Sequence, residues 1–388
     1  MQGSPDIAET YIRPFGTLFL NLIRMVIVPL VFSSLIVGTV SIGDPKSLGR
    51  IGGKTLGFYM ITTAIAVFIG LSLSAFFQPG AGLTIPVGAT QDPANVPSLT
   101  NTLLNIFPSN PLKGLVDGNI LQVITFALFL GLGCTALPKE IAEPFVNFFK
   151  SLSEIMYKIT AFIMLLAPYG VFALITPVVA QYGLDVLMPL IKVIAVVYAG
   201  CIIHAVVTYS TVAKVFANIS PLRFFKGISP AAVMAFSTTS SAGTLPVTIS
   251  SARENLGVSE RISSFVLPLG ATINMDGTAL YQGVCALFLA QIYGIDLTAG
   301  MMMTIILTAT LGSIGTAGVP GAGFIMLTLV LQSVGLPLEG LVLIAGIDRI
   351  LDMARTTVNV VGDAACAVFV SATEKDLNYD IINADLRV

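Results

Sequence analysis

Residues 348–363 read Asp348-Arg349-Ile350-Leu351-Asp352-Met353-Ala354-Arg355-Thr356-Thr357-Val358-Asn359-Val360-Val361-Gly362-Asp363. Steps of three and four put Asp348, Asp352, Arg355, Thr356, Asn359 and Asp363 on one face of a single helix. The flanks, 341–347 and 364–370, are apolar enough for a bilayer. A charged residue at mid-depth there costs about 2.5–3.5 kcal/mol even by the lower estimates. Charged and polar groups aligned at such depth must face a partner, a ligand or a cavity. An arginine with acids to either side of it along one helix face suits a zwitterionic, acidic molecule together with a cation, which is the pattern of a transport site.

The remainder of the chain agrees with a membrane setting. Of its 388 residues, 55% are hydrophobic and only 10% charged, against about a quarter charged in soluble domains; the mean hydropathy is +0.90. The chain reads as an all-α polytopic membrane protein. A net charge of −2 and the lack of any Lys/Arg-rich run argue against nucleic acid as a partner. Cys134, Cys201, Cys285 and Cys366 are scattered through apolar segments without CxxC spacing, and read as small buried residues. The single histidine, His204, reads as structural or lipid-facing, since a lone imidazole makes no metal site. No cleavable signal opens the chain. Met1-Gln2-Gly3-Ser4 reads as an added leader ahead of Pro5-Asp6-Ile7, so an upstream segment is expected to have been removed.

Apolar stretches long enough for a core about 30 Å thick run over 15–42, 56–77, 120–137, 141–180, 184–216 and 262–292. A segment rich in Pro, Gly and Asn, 78–113, reads as an external loop. Two further regions, 221–256 and 297–335, are apolar runs broken at their middles. The first break is Ser237-Thr238-Thr239-Ser240-Ser241-Ala242-Gly243-Thr244-Leu245-Pro246. The second is Gly312-Ser313-Ile314-Gly315-Thr316-Ala317-Gly318-Val319-Pro320-Gly321. Irregular backbone at membrane depth is tolerated only where it is buried in protein or lines a cavity. Paired interrupted segments point to an inverted-repeat transport site; two kinked spanning helices are the other reading. Charge separates the two. Lys and Arg in 44–54, at Lys139, in 214–226, in 253–261, and at Lys375 and Arg387 mark cytoplasmic connections, while 181–185, 293–300 and 332–339 hold none. The first broken region then has both ends inside and the second has both outside. A single crossing would separate the ends, so two hairpins entering from opposite faces are expected.

Between the hairpins, Gly270-Ala271-Thr272-Ile273-Asn274-Met275-Asp276-Gly277-Thr278 interrupts the stretch 262–292. Asn, Asp and Gly together favour an unwound turn, whose carbonyl, amide and carboxylate oxygens suit a hard monovalent cation. A satisfied polar kink is the alternative. Asn359 and Asp363 supply a second oxygen pair, and the hairpin tips bring half-helix ends whose N–H groups favour a carboxylate.

Four segments in this order carry a family resemblance: the serine-rich tip ending in Gly243-Thr244-Leu245-Pro246, the run Asn274-Met275-Asp276-Gly277-Thr278, the tip 315–323, and Asp352-x-x-Arg355-Thr356-x-x-Asn359-Val360-x-Gly362-Asp363. They resemble the dicarboxylate/amino acid:cation symporter family, the glutamate and aspartate transporters of microbes and the excitatory amino acid transporters of animals. The resemblance covers the chain from about Phe15 onward. It implies the glutamate-transporter fold, with scaffold and trimerisation helices mainly in 5–55 and 114–218. The transport core would be 56–77 and 221–375, containing the two re-entrant hairpins, the unwound helix 262–292 and a substrate helix 341–373. A cytoplasmic tail, 376–388, would follow. The core would move across the cell membrane like an elevator, within a homotrimer. No enzymatic activity and no cofactor are implied.

The same resemblance assigns substrate contacts to Ser240, Ser241, Thr278, Gly318, Val319, Gly323, Asp352, Arg355, Thr356 and Asn359. Arg355 would grip the side-chain carboxylate bidentately, Asp352 would take the α-ammonium, and the tip from Gly318 to Gly323 would close as the outer gate. Sodium ions, as co-transported ligands, would use Gly270, Asn274, Asn359 and Asp363 at one site. Thr272, Met275, Ser313, Ile314 and Thr316 would form a second, and Tyr59, Thr62, Thr63, Asn274 and Asp276 a third.

The chain departs from the family pattern in places. It starts at what resembles the family's second spanning helix. Thr239 stands where some microbial members carry an arginine, with Arg349 placed to restore that charge; Gln282 stands where animal members carry a glutamate tied to proton coupling; Ala242 replaces a serine. The expected activity is secondary active uptake of L-aspartate or L-glutamate on a cation gradient, sodium first. A proton-coupled symporter is the alternative, and a neutral amino acid or C4-dicarboxylate carrier a remoter one. An ion channel would want a carbonyl-rich filter, and an intramembrane aspartyl protease would want facing acids without an adjacent arginine.

Overall fold

The computed structural model describes residues 8–41, 49–83, 107–117, 120–166, 169–170, 172–173, 176, 187–314, 316, 318 and 320–383. Expectations on residues 1–4, on most of the external loop, on the connection at 181–185, on Val319 and on the end of the tail lie outside the described residues. The long apolar stretches become α1 (Arg13–Ser41), α2 (Gly49–Phe77), α3 (Ile120–Thr135), α4 (Lys139–Leu165) and α5 (Leu187–Ala217). The interrupted regions become three pairs: α6 (Pro221–Thr238) with α7 (Ser241–Glu254), α8 (Glu260–Ile273) with α9 (Asp276–Ile292), and α10 (Ala299–Ser313) with α11 (Ala322–Ser333). The polar-faced helix is α12 (Asp348–Thr373). Among the described residues the one β pairing is an isolated bridge, Val258 with Leu377.

Side-chain caps set where several of these helices begin. The hydroxyls of Ser220, Ser240, Ser259 and Thr298 accept the N–H groups of Arg223, Gly243, Ile262 and Met301, starting α6, α7, α8 and α10. Serine and threonine are favoured there because their oxygen satisfies a donor the first turn leaves free. Both broken regions double back, with α6 packed on α7 and α10 on α11. The first reversal uses Thr239 at φ 53 and the second Gly321 at φ 80, a conformation glycine adopts without Cβ strain. With 15 residues in α10 and 12 in α11, each arm is only about 22 and 18 Å long. That is short of a hydrocarbon core of about 30 Å.

Three described helices are long and apolar enough to cross a membrane: Arg50–Phe77, Leu187–Ala217 and Asp348–Thr373. The last is the most enclosed, with 78% of its apolar window buried against 39% in each of the others. Its polar face is tolerated because protein, not lipid, surrounds it.

Packing sorts the helices into two groups. α1 packs on α3 and α4. In the second group α2 lies along α9, the first hairpin, α5, α8 and α9 pack on α12, and α10 and α11 pack on α9. The groups touch where α1 meets α8 and α11, and where α3 meets α10 and α11. Three boundaries therefore differ from those read in the sequence. α5, expected with the scaffold, is bound into the second group, where Tyr198 donates to the Ile350 carbonyl at 2.9 Å and Tyr209 to Asp276 at 2.8 Å. α2 is one unbroken helix across 55/56, because hydropathy changes there but no residue breaks the helix. The substrate helix is interrupted at Gly346 and Ile347, after the short turn Leu341–Ala345, so that Asp348 opens α12.

Candidate functional site

The predicted face of α12 is enclosed: Asp348, Asp352, Thr356, Asn359 and Asp363 are buried, and Arg355 is 0% exposed. Arg355 Nη1 donates to Asp348 Oδ1 at 2.8 Å, and its guanidinium carbon sits 4.1 Å from the centre of the Tyr281 ring. Tyr281 donates to Asp348 Oδ1 at 3.3 Å, and Asp348 lies in the first turn of α12, where the helix dipole favours an acid. Nη2 is 3.0 Å from Asp352 Oδ1 without hydrogen-bond alignment, so Nε and Nη2 both lack a hydrogen-bond acceptor. These two nitrogens form one flat edge of the guanidinium, the kind a carboxylate grips with two parallel bonds. Leaving a buried donor unpaired costs about 1–3 kcal/mol, and more for a charged group. A carboxylate ligand relieves that cost.

The second break lies over this edge and meets the first at Gly318. Asp352 Oδ2 accepts the N–H of Gly321 at 3.0 Å, and its Oδ1 accepts the Thr356 hydroxyl at 3.2 Å. A Cβ at Gly323 would lie 2.9 Å from Thr278 Cγ2 and 3.3 Å from Arg355 Cζ, so α11 begins directly over the guanidinium. The Gly318 carbonyl accepts from the Ser240 hydroxyl at 2.9 Å and from the Ala242 N–H at 3.1 Å. Gly318 also presses against the Ala271 carbonyl and Ser241, leaving no room for a side chain. Asn359 Nδ2 reaches Thr278 Oγ1 at 3.4 Å. The described residues expected at the substrate site therefore stand together. Arg349 donates to the Thr239 hydroxyl, bringing its charge to the first tip.

Beneath lies an oxygen-rich layer. Asn274 (φ −90, ψ 100) and Met275 (φ −124, ψ 48) leave helical geometry, which makes the expected unwound turn between α8 and α9. Asn274 Nδ2 donates to Asp363 Oδ1 at 2.9 Å and to the Asn359 carbonyl at 3.2 Å. Asn359 in turn accepts from the Gly277 N–H at 2.8 Å and points Nδ2 at Met275 Sδ, 3.2 Å away. Gly270 lies against both Asp363 and the Tyr59 hydroxyl. Asn274 Oδ1 is buried without a donor, and among the described residues no lysine or arginine pairs with Asp363 or Asp276. Buried carboxylates beside a free amide oxygen match what a small hard cation takes as ligands.

Asp276 accepts from Thr63 on Oδ1 at 2.6 Å. Thr62 and Tyr59 turn their hydroxyls to backbone carbonyls, of Phe58 at 3.1 Å and of Val266 at 3.1 Å. The expected second cation set is not joined by side-chain hydrogen bonds among the described residues. Thr272 is exposed and bonds the Leu269 carbonyl, Ser313 and Thr316 bond the Thr310 and Gly312 carbonyls of α10, and Ile314 closes that helix. Those segments touch where Gly318 meets the Ala271 carbonyl.

Residues 5–373 match the sodium:dicarboxylate symporter family. The chain belongs to that family. Among its relatives, the proton/sodium-glutamate symport protein of Geobacillus stearothermophilus is 41% identical over 387 residues, covering 97% of this chain and 91% of its own length. The proton/glutamate-aspartate symporter of Escherichia coli K12 is 41% identical over 374 residues, 94% of this chain and 85% of its own. The excitatory amino acid transporter of Caenorhabditis elegans is 35% identical, over 91% of this chain and 80% of its own. The symporter family consists of carriers rather than enzymes and places the chain in a membrane. Two contributors at this site were not expected from sequence; a third, Asp348, was placed on the polar face of α12 two turns before Arg355 but assigned no contact. Tyr281 and His204 come from other helices and carry no local signal. His204 in particular is turned inward onto Asp276 rather than toward lipid.

Proposed function

We propose that this symporter carries L-aspartate and L-glutamate into the cell, coupled to sodium, by an elevator movement within a homotrimer. The observation that carries the substrate assignment is the unspent Nε–Nη2 edge of Arg355 beside Asp352, under two closed tips. Arg355 would take the side-chain carboxylate. An α-ammonium would replace the Gly321 N–H on Asp352, and Thr278, Thr356 and Asn359 would bond the remaining polar atoms. A second carboxylate beside Asp352 would be repelled, which disfavours C4-dicarboxylates without an amino group.

Sodium binding would neutralise Asp363 with Asn274 and Asn359, and Asp276 with Thr63, so that cation binding and gate closure share one free energy. Relatives named as proton/sodium-glutamate and proton/glutamate-aspartate symporters support both substrates and a cation partner. The short hairpin arms, together with cytoplasmic charge at the base of the first hairpin only, support re-entrant hairpins from opposite faces. In this reading α1, α3 and α4 are the scaffold, with outward apolar residues such as Phe15, Leu18, Phe145 and Phe148 for lipid and neighbouring copies. α2 and α5–α12 are the moving core.

Reconstituted into liposomes, the protein should accumulate labelled L-aspartate and L-glutamate under an inward sodium gradient, and not with choline. Accumulation of succinate in preference to either would overturn the substrate assignment. Uptake driven by a proton gradient without sodium would replace the coupling ion.

A further inference from the structure

α5 is not a regular helix. Its residues His204–Tyr209 form a π-helical turn, a wider turn that occurs mostly as a local bulge and often at functional sites. In a regular α-helix, residues five apart point about 140° away from one another. Here the wider turn brings His204 and Tyr209 onto one side, and both reach the same oxygen. His204 Nε2 lies 3.2 Å from Asp276 Oδ2, and the Tyr209 hydroxyl donates to that oxygen at 2.8 Å. The His204 and Tyr209 rings meet edge-on at 4.9 Å, and both side chains are 0% exposed. Thr208 Oγ1 lies 3.2 Å from Nδ1, the far side of the imidazole. A carboxylate oxygen can only accept, so Nε2 carries the proton it shares.

The division of Asp276 is therefore unequal. Oδ2 is held by two donors from α5, while among the described residues Oδ1 takes only the Thr63 hydroxyl and stands on the side of α2. We propose that the π-turn of α5 is a wall of the cation site, with His204 and Tyr209 as positioning residues. They fix Asp276 Oδ2 so that Oδ1 alone is presented to the ion, next to Thr63. This inference rests on the sodium-coupled reading above and adds to its third cation set two residues from a helix expected to lie in the scaffold. A core histidine that merely fills space would need neither the π-turn nor a carboxylate oxygen shared with Tyr209.

The test is calorimetric binding of L-aspartate to the purified protein across a sodium series, with choline making up the ionic strength. His204→Ala should raise the sodium concentration for half-maximal binding about tenfold, as expected for losing one hydrogen bond to a charged group. Aspartate affinity at saturating sodium should stay within about twofold, because Arg355 and Asp352 are untouched. His204→Gln, which returns an N–H donor of similar reach, should recover most of the shift. Tyr209→Phe, which keeps the ring and removes one donor, should behave as His204→Ala does and is the readout if the alanine variant does not fold. A sodium midpoint unmoved in folded His204→Ala or in Tyr209→Phe would overturn the proposal, as would equal shifts in the alanine and glutamine variants. Sodium-independent binding by the unsubstituted protein would instead remove the coupling reading, and this proposal with it.

Discussion

Arg355 is buried between two carboxylates and an aromatic ring, with Nε and Nη2 left for something else to bind. Removing one partner of a buried, hydrogen-bonded charge pair costs about 2–5 kcal/mol. Arg355→Cys should therefore weaken L-aspartate and L-glutamate binding at least about thirtyfold, and open the site to serine or alanine; unchanged aspartate affinity in calorimetry would sink the assignment. Tyr281→Phe keeps the ring under the guanidinium and loses only the 3.3 Å bond to Asp348. It should cost binding less than about tenfold, within the worth of one weak hydrogen bond, and a larger loss would mean that the hydroxyl does more than hold Asp348. At this scale the α12 face was legible because helical spacing alone aligns its residues. Tyr281 of α9 and His204 and Tyr209 of α5 were not, since no local pattern records which helix lies opposite.

The breaks in 221–256 and 297–335 were legible at the scale of elements, because a proline and small polar residues interrupt each apolar run. Their reversals use a left-handed residue each, Thr239 and Gly321. What could not be read was where the two tips touch. That contact depends on Gly318, whose carbonyl receives Ser240 and Ala242 while its Cα faces the Ala271 carbonyl. Gly318→Ala places a methyl group against that carbonyl. We expect faster backbone hydrogen exchange in 313–323 and weaker aspartate binding, with the exchange of α9 and α12 unchanged. Equal exchange in both proteins would mean that the tips do not depend on this approach. The π-turn of α5 was also invisible in sequence: the stretch around His204 is apolar and reads as an ordinary helix.

Across the whole molecule, Glu374, just after α12, ties the second group of helices to the start of α2. Its side chain is 2% exposed, accepts from Lys54 at 2.7 Å and pairs with Arg50, both at the start of α2. The Lys54 hydrogen bond, followed by that of Arg50, holds its carboxyl below the ordinary glutamate value. A carboxylate favoured in this way stabilises the fold above its unfolded pKa, and the contribution is lost as pH falls through the lowered folded value. Glu374→Gln should therefore unfold at a lower temperature than the unsubstituted protein near neutral pH, and the gap should close as the medium is acidified through that range. A gap independent of pH would show that the latch is not electrostatic. The division into two helix groups was only partly legible, because hydropathy marks where helices lie but not which ones pack together; α5 is the case in point.

The central claim is that a buried arginine edge and a buried oxygen layer bind one acidic amino acid and sodium together. Isothermal calorimetry of L-aspartate and L-glutamate binding across a sodium series, with choline as the control ion, tests it directly. The account predicts affinities that tighten steeply with sodium and collapse in choline. No binding of either amino acid at any sodium concentration would contradict it.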